Sequence, residues 1–171
     1  MQGSYGGSRS RGLLGSLVSS KRDAPLSPDA FATVLSKKEF TNGADSGTVI
    51  NLYRNTATAL LGSTRELRYE RLKWAEAQFG RWGEALCYCG ALEKLVVKEM
   101  ELSDTAAAAV VAGLASCQSL QTLYLGECYS LTALPDLSAL TSLQTLNLKR
   151  CRSCLLYTSD AADEEDSVDL G

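Results

Sequence analysis

The 171-residue chain has no histidine, only three prolines, and 7% aromatic residues. The missing histidine removes Ser-His-Asp triads, the HExxH zinc site and a histidine general base. No apolar run approaches the roughly 20 residues that span a bilayer, so no membrane-spanning helix is expected. There is no Gly-rich phosphate loop, no pair of carboxylates spaced for acid–base work and no nucleophile elbow. Neither an enzyme, a cofactor nor a metal site is therefore expected. What is present looks globular: 45% hydrophobic and 22% charged residues, in a length suited to about one domain. Seventeen Lys+Arg stand against twenty Asp+Glu, a formal net charge of -3. That balance argues against a dedicated nucleic-acid binder.

Part of that balance comes from the tail. Cys154-Leu155-Leu156-Tyr157-Thr158-Ser159-Asp160-Ala161-Ala162-Asp163-Glu164 resembles a translation of the transposon-end adapter used in sequencing libraries. In that adapter a variable index comes next, where Glu165 and Asp166 fall, and constant sequence resumes at Val168-Asp169-Leu170-Gly171. Residues 154–171 are therefore set aside from fold reasoning as adapter-derived, and the chain is expected to be truncated near Ser153. The tail holds six acids and no base, so without it fourteen acids face seventeen bases and -3 becomes +3. Cys151-Arg152-Ser153-Cys154 reads as CxxC, but its second cysteine lies inside the adapter match, so no redox pair or zinc half-site is assigned.

Residues 1–26 form a leader rich in Gly, Ser and Arg, with Arg9, Arg11, Lys21 and Arg22 and no acid before Asp23. Its apolar stretch, Leu13-Leu14-Gly15-Ser16-Leu17-Val18, is too short and interrupted for a secretory signal. A disordered leader is expected; an organelle transit peptide would share its Arg- and Ser-rich, acid-poor make-up. Residues 27–63 read as a helical cap. Ser27-Pro28 is a helix start, and Phe31, Val34, Leu35 and Phe40 are candidates for one apolar face. Asn42-Gly43 should end that segment and Asp45-Ser46 should cap a second helix. That helix has Val49, Leu52, Tyr53, Thr56, Ala57 and Leu60 at helical spacing and stops at Gly62. The two helices are expected to cover the open end of the region that begins at Thr64.

From Thr64 onward the sequence is periodic. Leu92-x-x-Leu95-x-Val97-x-x-Met100 is matched by Leu120-x-x-Leu123-x-Leu125-x-x-Cys128 and by Leu143-x-x-Leu146-x-Leu148-x-x-Cys151, at offsets of 28 and 23 residues. Leu67, Tyr69, Leu72 and Trp74 form a degenerate first copy, 28 residues before Leu95, Val97, Met100 and Leu102. Leu86, Cys89 and Leu92 align with Leu114, Cys117 and Leu120, and with Leu137, Leu140 and Leu143. This resembles the leucine-rich repeat family over residues 64–153, about 3.5 units. The resemblance implies an α/β solenoid, with a parallel sheet on one side, helices or turns on the convex side, and the N-terminal helices as its cap. Its N/C position holds Cys128 and Cys151 but Met100 and Leu72, which puts the family's side-chain-supported backbone ladder in doubt in the earlier copies. Ser103 or Asp104 can cap an Ala-rich helix through Leu114. Leu134-Pro135-Asp136-Leu137 should instead make a turn or 3₁₀ segment. The longer unit resembles ribonuclease-inhibitor repeats and the shorter one plant-type repeats. The last strand, Gln144 to Leu148, should leave an open edge prone to self-association.

Alternation puts the residues between the strand leucines on the other, concave face. The central column is Arg68, Val96, Tyr124 and Asn147. Glu66, Lys94, Thr122 and Thr145 flank it on one side, and Glu70, Lys98, Gly126 and Lys149 on the other. Arg71, Glu99, Glu127 and Arg150 form a last column. Opposite charges in Glu66/Lys94, Glu70/Lys98 and Arg71/Glu99 would steady the sheet with no partner. As a recognition surface, the candidates are Arg68, Val96, Lys98, Tyr124, Glu127, Asn147, Lys149 and Arg150, with Tyr124 foremost as an exposed aromatic on a polar face. Cys87, Cys89, Cys117, Cys128 and Cys151 occupy positions that are leucine or alanine in other copies and read as free thiols. Cys87-Tyr88-Cys89 lacks a histidine or second close pair for metal binding. With no signal peptide for a disulfide-forming route, a cytoplasmic, reduced setting is expected. Trp74 and Trp82 should fill the core beneath the capping helices.

The family resemblance implies a protein-binding module: a scaffold that presents the concave sheet to another protein without catalysis. The alternative is the sensor or substrate-adaptor part of a larger effector, such as a ubiquitin ligase or nucleotide-switch receptor.

Overall fold

The LxL segments become strands because their leucines can reach a common core only from an extended backbone. The structure, a computed structural model, describes residues 22–39, 43–151 and 167–169. In chain order the elements are α1 (Pro28–Leu35), α2 (Gly43–Ser63), β1 (Glu66–Glu70), α3 (Glu76–Leu86), β2 (Lys94–Lys98), α4 (Asp104–Leu114), β3 (Thr122–Gly126), β4 (Thr145–Asn147) and β5 (Ser167–Asp169). Strands β1 to β4 lie side by side in that order and pair in parallel, an α/β arrangement. Leu67 faces Leu95, Leu95 faces Leu123, and Leu123 faces Leu146. Alternate side chains (Leu95, Val97, Leu123, Leu125, Leu146) enter one continuous core, against which Leu67 packs partly buried.

The same backbone connections recur at corresponding positions. Before the strands, Leu92 N donates to Cys89 O, Leu120 N to Cys117 O, and Leu143 N to Leu140 O. At the strand starts, Arg65 O accepts from Glu93 and Lys94, Glu93 O from Gln121 and Thr122, and Gln121 O from Gln144 and Thr145. These bonds hold each loop onto its predecessor and fix the register.

Helices α3 and α4 occupy the two 28-residue connections and pack on each other. Ser103 caps α4, its Oγ accepting from Ala106 N at 3.1 Å. Asp104 turns instead to the next connection and accepts from Thr132 N and Ala133 N. Glycines set the spacing between the helices. A Cβ on Gly113 would collide with the carbonyl of Gly83, and one on Gly83 with that of Ala109. In the 23-residue connection Pro135 sits in a non-helical stretch, and Asp136 accepts from Ser138 N to make a turn.

Three expectations need refinement. The N-terminal helices do not close that end of the core alone, though Leu61 of α2 packs partly buried against it. Segment 22–27 does part of that work: Trp74 Nε1 donates to Arg22 O at 2.6 Å, and Ala24 joins the core. Trp74 and Trp82 are buried in a cluster with Tyr69 and Phe79, whose edge-on rings fill the first unit. Helix α2 packs mainly on α1, through features such as the Phe31–Tyr53 stack, and leaves Val49, Leu52 and Leu60 exposed. Second, Val34, expected on the apolar face, is exposed within α1, while Phe40 lies outside the described residues. Gly43, expected as a terminator, opens α2. Third, the β4 edge is not open: β5 pairs with it antiparallel, with Leu146 opposite Val168. Three residues set aside as adapter-derived can occupy the edge because strand pairing uses main-chain groups that every sequence carries.

Candidate functional site

The face of the sheet opposite the core carries alternate residues of β1, β2 and β3. Register sets Arg68 beside Val96 and Val96 beside Tyr124, then Tyr124 beside Asn147. Arg68, Lys94, Val96, Lys98, Thr122 and Tyr124 line a shallow cleft of about 290 Å³. Three cationic side chains thus surround a floor made by a valine and a tyrosine.

Val96 departs from its expected exposure. It is only 5% exposed and forms the bottom of the cleft. A short β-branched side chain between longer Lys94, Lys98 and Tyr124 is shaded by its neighbours even on a solvent-facing side. Tyr124 is half-buried for a related reason. Its ring lies over Gly126, two residues along the same strand, where a Cβ would strike the ring carbons and the phenol oxygen. Gly126 therefore lets the aromatic ring lie along the sheet and present one face to the cleft.

Charge around the cleft is locally balanced. Lys94 pairs with Glu66 at 3.2 Å, across adjacent strands as the spacing suggests. Glu70 pairs with Arg68 of its own strand at 2.5 Å. The expected Glu70/Lys98 pair gives way to Lys98 with Glu99 at 3.2 Å and with Glu127 at 3.5 Å. The turn beyond each strand draws Lys98 in that direction.

That turn carries a feature no residue pattern announces. Arg71, Glu99, Glu127 and Arg150 all have positive φ, between 52° and 61°. The left-handed region disfavours residues with a Cβ, and none of the four is Gly, Asn or Asp. Amide bonds account for the conformation at three of them. Arg71 N donates to Lys98 O, Glu99 N to Gly126 O, and Glu127 N to Lys149 O, each across to the next strand's exit. The side chains then form a rim. Arg71 donates from Nε and Nη2 to the two oxygens of Glu99, and Glu127 pairs with Lys98 and Arg150. The Arg71 hydrogen bond, with Lys98 adding to it, holds the Glu99 carboxyl down to about 2. Glu99 in turn raises Arg71 and Lys98 above their ordinary values.

The eight candidate residues therefore separate. Arg68, Val96, Lys98 and Tyr124 share the cleft. Glu127 and Arg150 belong to the rim. Asn147 Oδ1 accepts from Lys149 N at 3.0 Å, tying the end of β4 to the following turn. Lys149 is exposed, with its carbonyl in the rim ladder. Lys94 and Thr122 belong with the cleft, and the column that flanks the central one already pointed to them.

Four of the five cysteines among the described residues face inward. Cys89, Cys117, Cys128 and Cys151 are buried, and Cys87 is exposed. Burial pushes the Cys89 thiol up to about 11 and Cys117 to about 12, leaving both protonated at neutral pH. Cys151 Sγ donates to Leu125 O at 2.7 Å, while Cys128 Sγ reaches Gly126 O at 3.6 Å. Among the described residues no group of three or more His, Cys, Asp or Glu is placed to hold a metal ion. No helix there is long and apolar enough to cross a membrane.

Compared with family models, curated proteins and solved structures, the chain matches none.

Proposed function

We propose that the chain is part of a leucine-rich-repeat solenoid that binds a protein partner on the sheet face opposite its core, and performs no chemistry there. The observation that carries this reading is the Tyr124 cleft. A half-buried aromatic ring, laid over Gly126, stands among Arg68, Lys94 and Lys98 above an apolar floor. Tyrosine and arginine in such a setting supply much of the energy at protein interfaces, since large rigid side chains lose little entropy on binding. The recurring LxL spacing, the register at offsets of 28, 28 and 23 residues, and the recurring left-handed turn support the repeat reading. A shallow, open cleft suits a side chain projecting from another protein better than an enclosed small molecule.

The test compares affinity captures with the wild-type chain, Tyr124→Ala, and Ser138→Ala on an exposed connecting turn. Proteins held by wild type and Ser138→Ala, but weakened at least about tenfold by Tyr124→Ala, are the expected outcome; about 1.4 kcal/mol accompanies that change. Circular dichroism must show Tyr124→Ala folded. Three identical captures from folded proteins would reject this face as the binding surface.

A further inference from the structure

Helix α2 has a face with no visible purpose in the sheet. Val49, Leu52, Thr56 and Leu60 succeed one another at spacings of three, four and four, which stacks them along one side. Leu52 is 67% exposed and Leu60 64%. Beside them runs an apolar groove of about 220 Å³, with Tyr53, Ala57, Leu60 and Leu61 on one wall and Pro25 and Leu26 on the other. Exposed leucines in line along a groove mark an interaction surface, whereas scattered ones need no explanation.

We propose that the apolar stretch of the leader, Leu13 to Val18, docks in this groove and covers the α2 face. The wall formed by Pro25 and Leu26 is the continuation of that same leader. Its root is fastened: Arg22 O accepts from Trp74 Nε1, and the Arg22 guanidinium lies 5.3 Å from the Tyr69 ring centroid. Leu26 O accepts from Tyr53 Oη at 2.9 Å, which holds the chain against α2 itself. From Arg22, the fastened end, back to Val18 is four residues and to Leu13 nine, reaching roughly 13 and 30 Å when extended. The exposed face from Val49 to Leu60 is only about 16 Å long. The far end of the stretch is therefore long enough to run along that face. Chemistry agrees with reach, since Leu14, Leu17 and Val18 repeat at three and four residues and so match an apolar stripe. A short tether also gives the leader an effective concentration of roughly millimolar, an advantage over any separate occupant. A leader held this way is masked, and whatever displaces it exposes α2 and the leader together.

Disulfide trapping in the full chain tests this. With Cys87→Ser removing the thiol exposed among the described residues and Cys154→Ser removing the one outside them, Leu17→Cys and Thr56→Cys are combined and oxidised at micromolar protein. An intramolecular cross-link is expected, unchanged on tenfold dilution and reduced at least about tenfold by added Leu52→Ser and Leu60→Ser. Hydrogen exchange gives a second reading without cysteine changes. Leu14→Ser with Leu17→Ser should speed exchange across residues 49–60 about tenfold while β2 and β3 keep their protection. Cross-links only between molecules would overturn the proposal in favour of a second copy as occupant. Absence of a cross-link with unchanged α2 exchange would also overturn it. Retained protection of β2 and β3 separates either result from a failure to fold.

Discussion

Glu99 shows what one residue can carry in this sheet. It has a left-handed backbone, donates its amide to Gly126 O, and accepts both Arg71 nitrogens. Its carboxyl is held down to about 2, below an ordinary value of 4.5. A depressed carboxyl stabilises the fold above pH 4.5, and that contribution disappears as pH falls through 2. Glu99→Gln should therefore flatten the pH dependence of urea midpoints between 4.5 and 2, with little change in the slope at neutral pH. An unchanged acid limb would show that Arg71 does not favour the charged form. The charge alternation at Arg71/Glu99 is legible from spacing; the positive φ is not. Left-handed conformation is ordinarily flagged by Gly or Asn, and Arg71, Glu99 and Glu127 adopt it where a main-chain bond to the next strand's exit holds the turn. Val96 escapes for the opposite reason: alternation assigns a face, while neighbouring side-chain length decides exposure.

At the scale of elements, strands are the most legible part. LxL fixes which residues alternate, and the offsets fix which strands meet. Helix α4 is legible from Ser103 and its alanines. Helix α3 is not evident in the sequence, although it lies 28 residues before α4 and its end, Leu86, aligns with Leu114. Glu76, Gln78, Arg81 and Glu84 make its sequence far more polar than the Ala-rich stretch, so its apolar face is obscured. The contact between the two helices lies beyond either sequence alone. Gly83 and Gly113 meet main chain to main chain, with no room for a methyl group. Alanine normally favours a helix over glycine by about 1 kcal/mol. Here Gly113→Ala should instead destabilise by roughly 1–3 kcal/mol, because the helices must separate. A lower thermal midpoint checks this; a higher one would mean α3 and α4 tolerate a wider spacing.

For the whole molecule, the decisive question is what closes each end of the sheet. At the β1 end, an aromatic cluster and segment 22–27 help close it, and Leu61 of α2 packs partly buried against the same core. At the other end, β5 pairs antiparallel with β4 through three residues. A chain ending at Ser153 would lose that strand and return a row of unpaired main-chain groups to water. Such a chain should associate more strongly than the 171-residue form, with mass by light scattering rising with concentration. Equal monomer mass for both chains would show that the β4 edge needs no cover.

Sequence by itself determined the period, the strand register and the inward leucines, because these depend on backbone repeat and side-chain alternation. It also determined the absence of histidine, since composition needs no fold. Tertiary structure decided which side chains converge. It placed Lys94 and Thr122 with Tyr124, laid the tyrosine ring over Gly126, and held two helices at glycine distance. It also left one face of α2 uncovered by the sheet. These depend on distances between residues far apart in the chain, and such distances are settled only when all the elements pack at once.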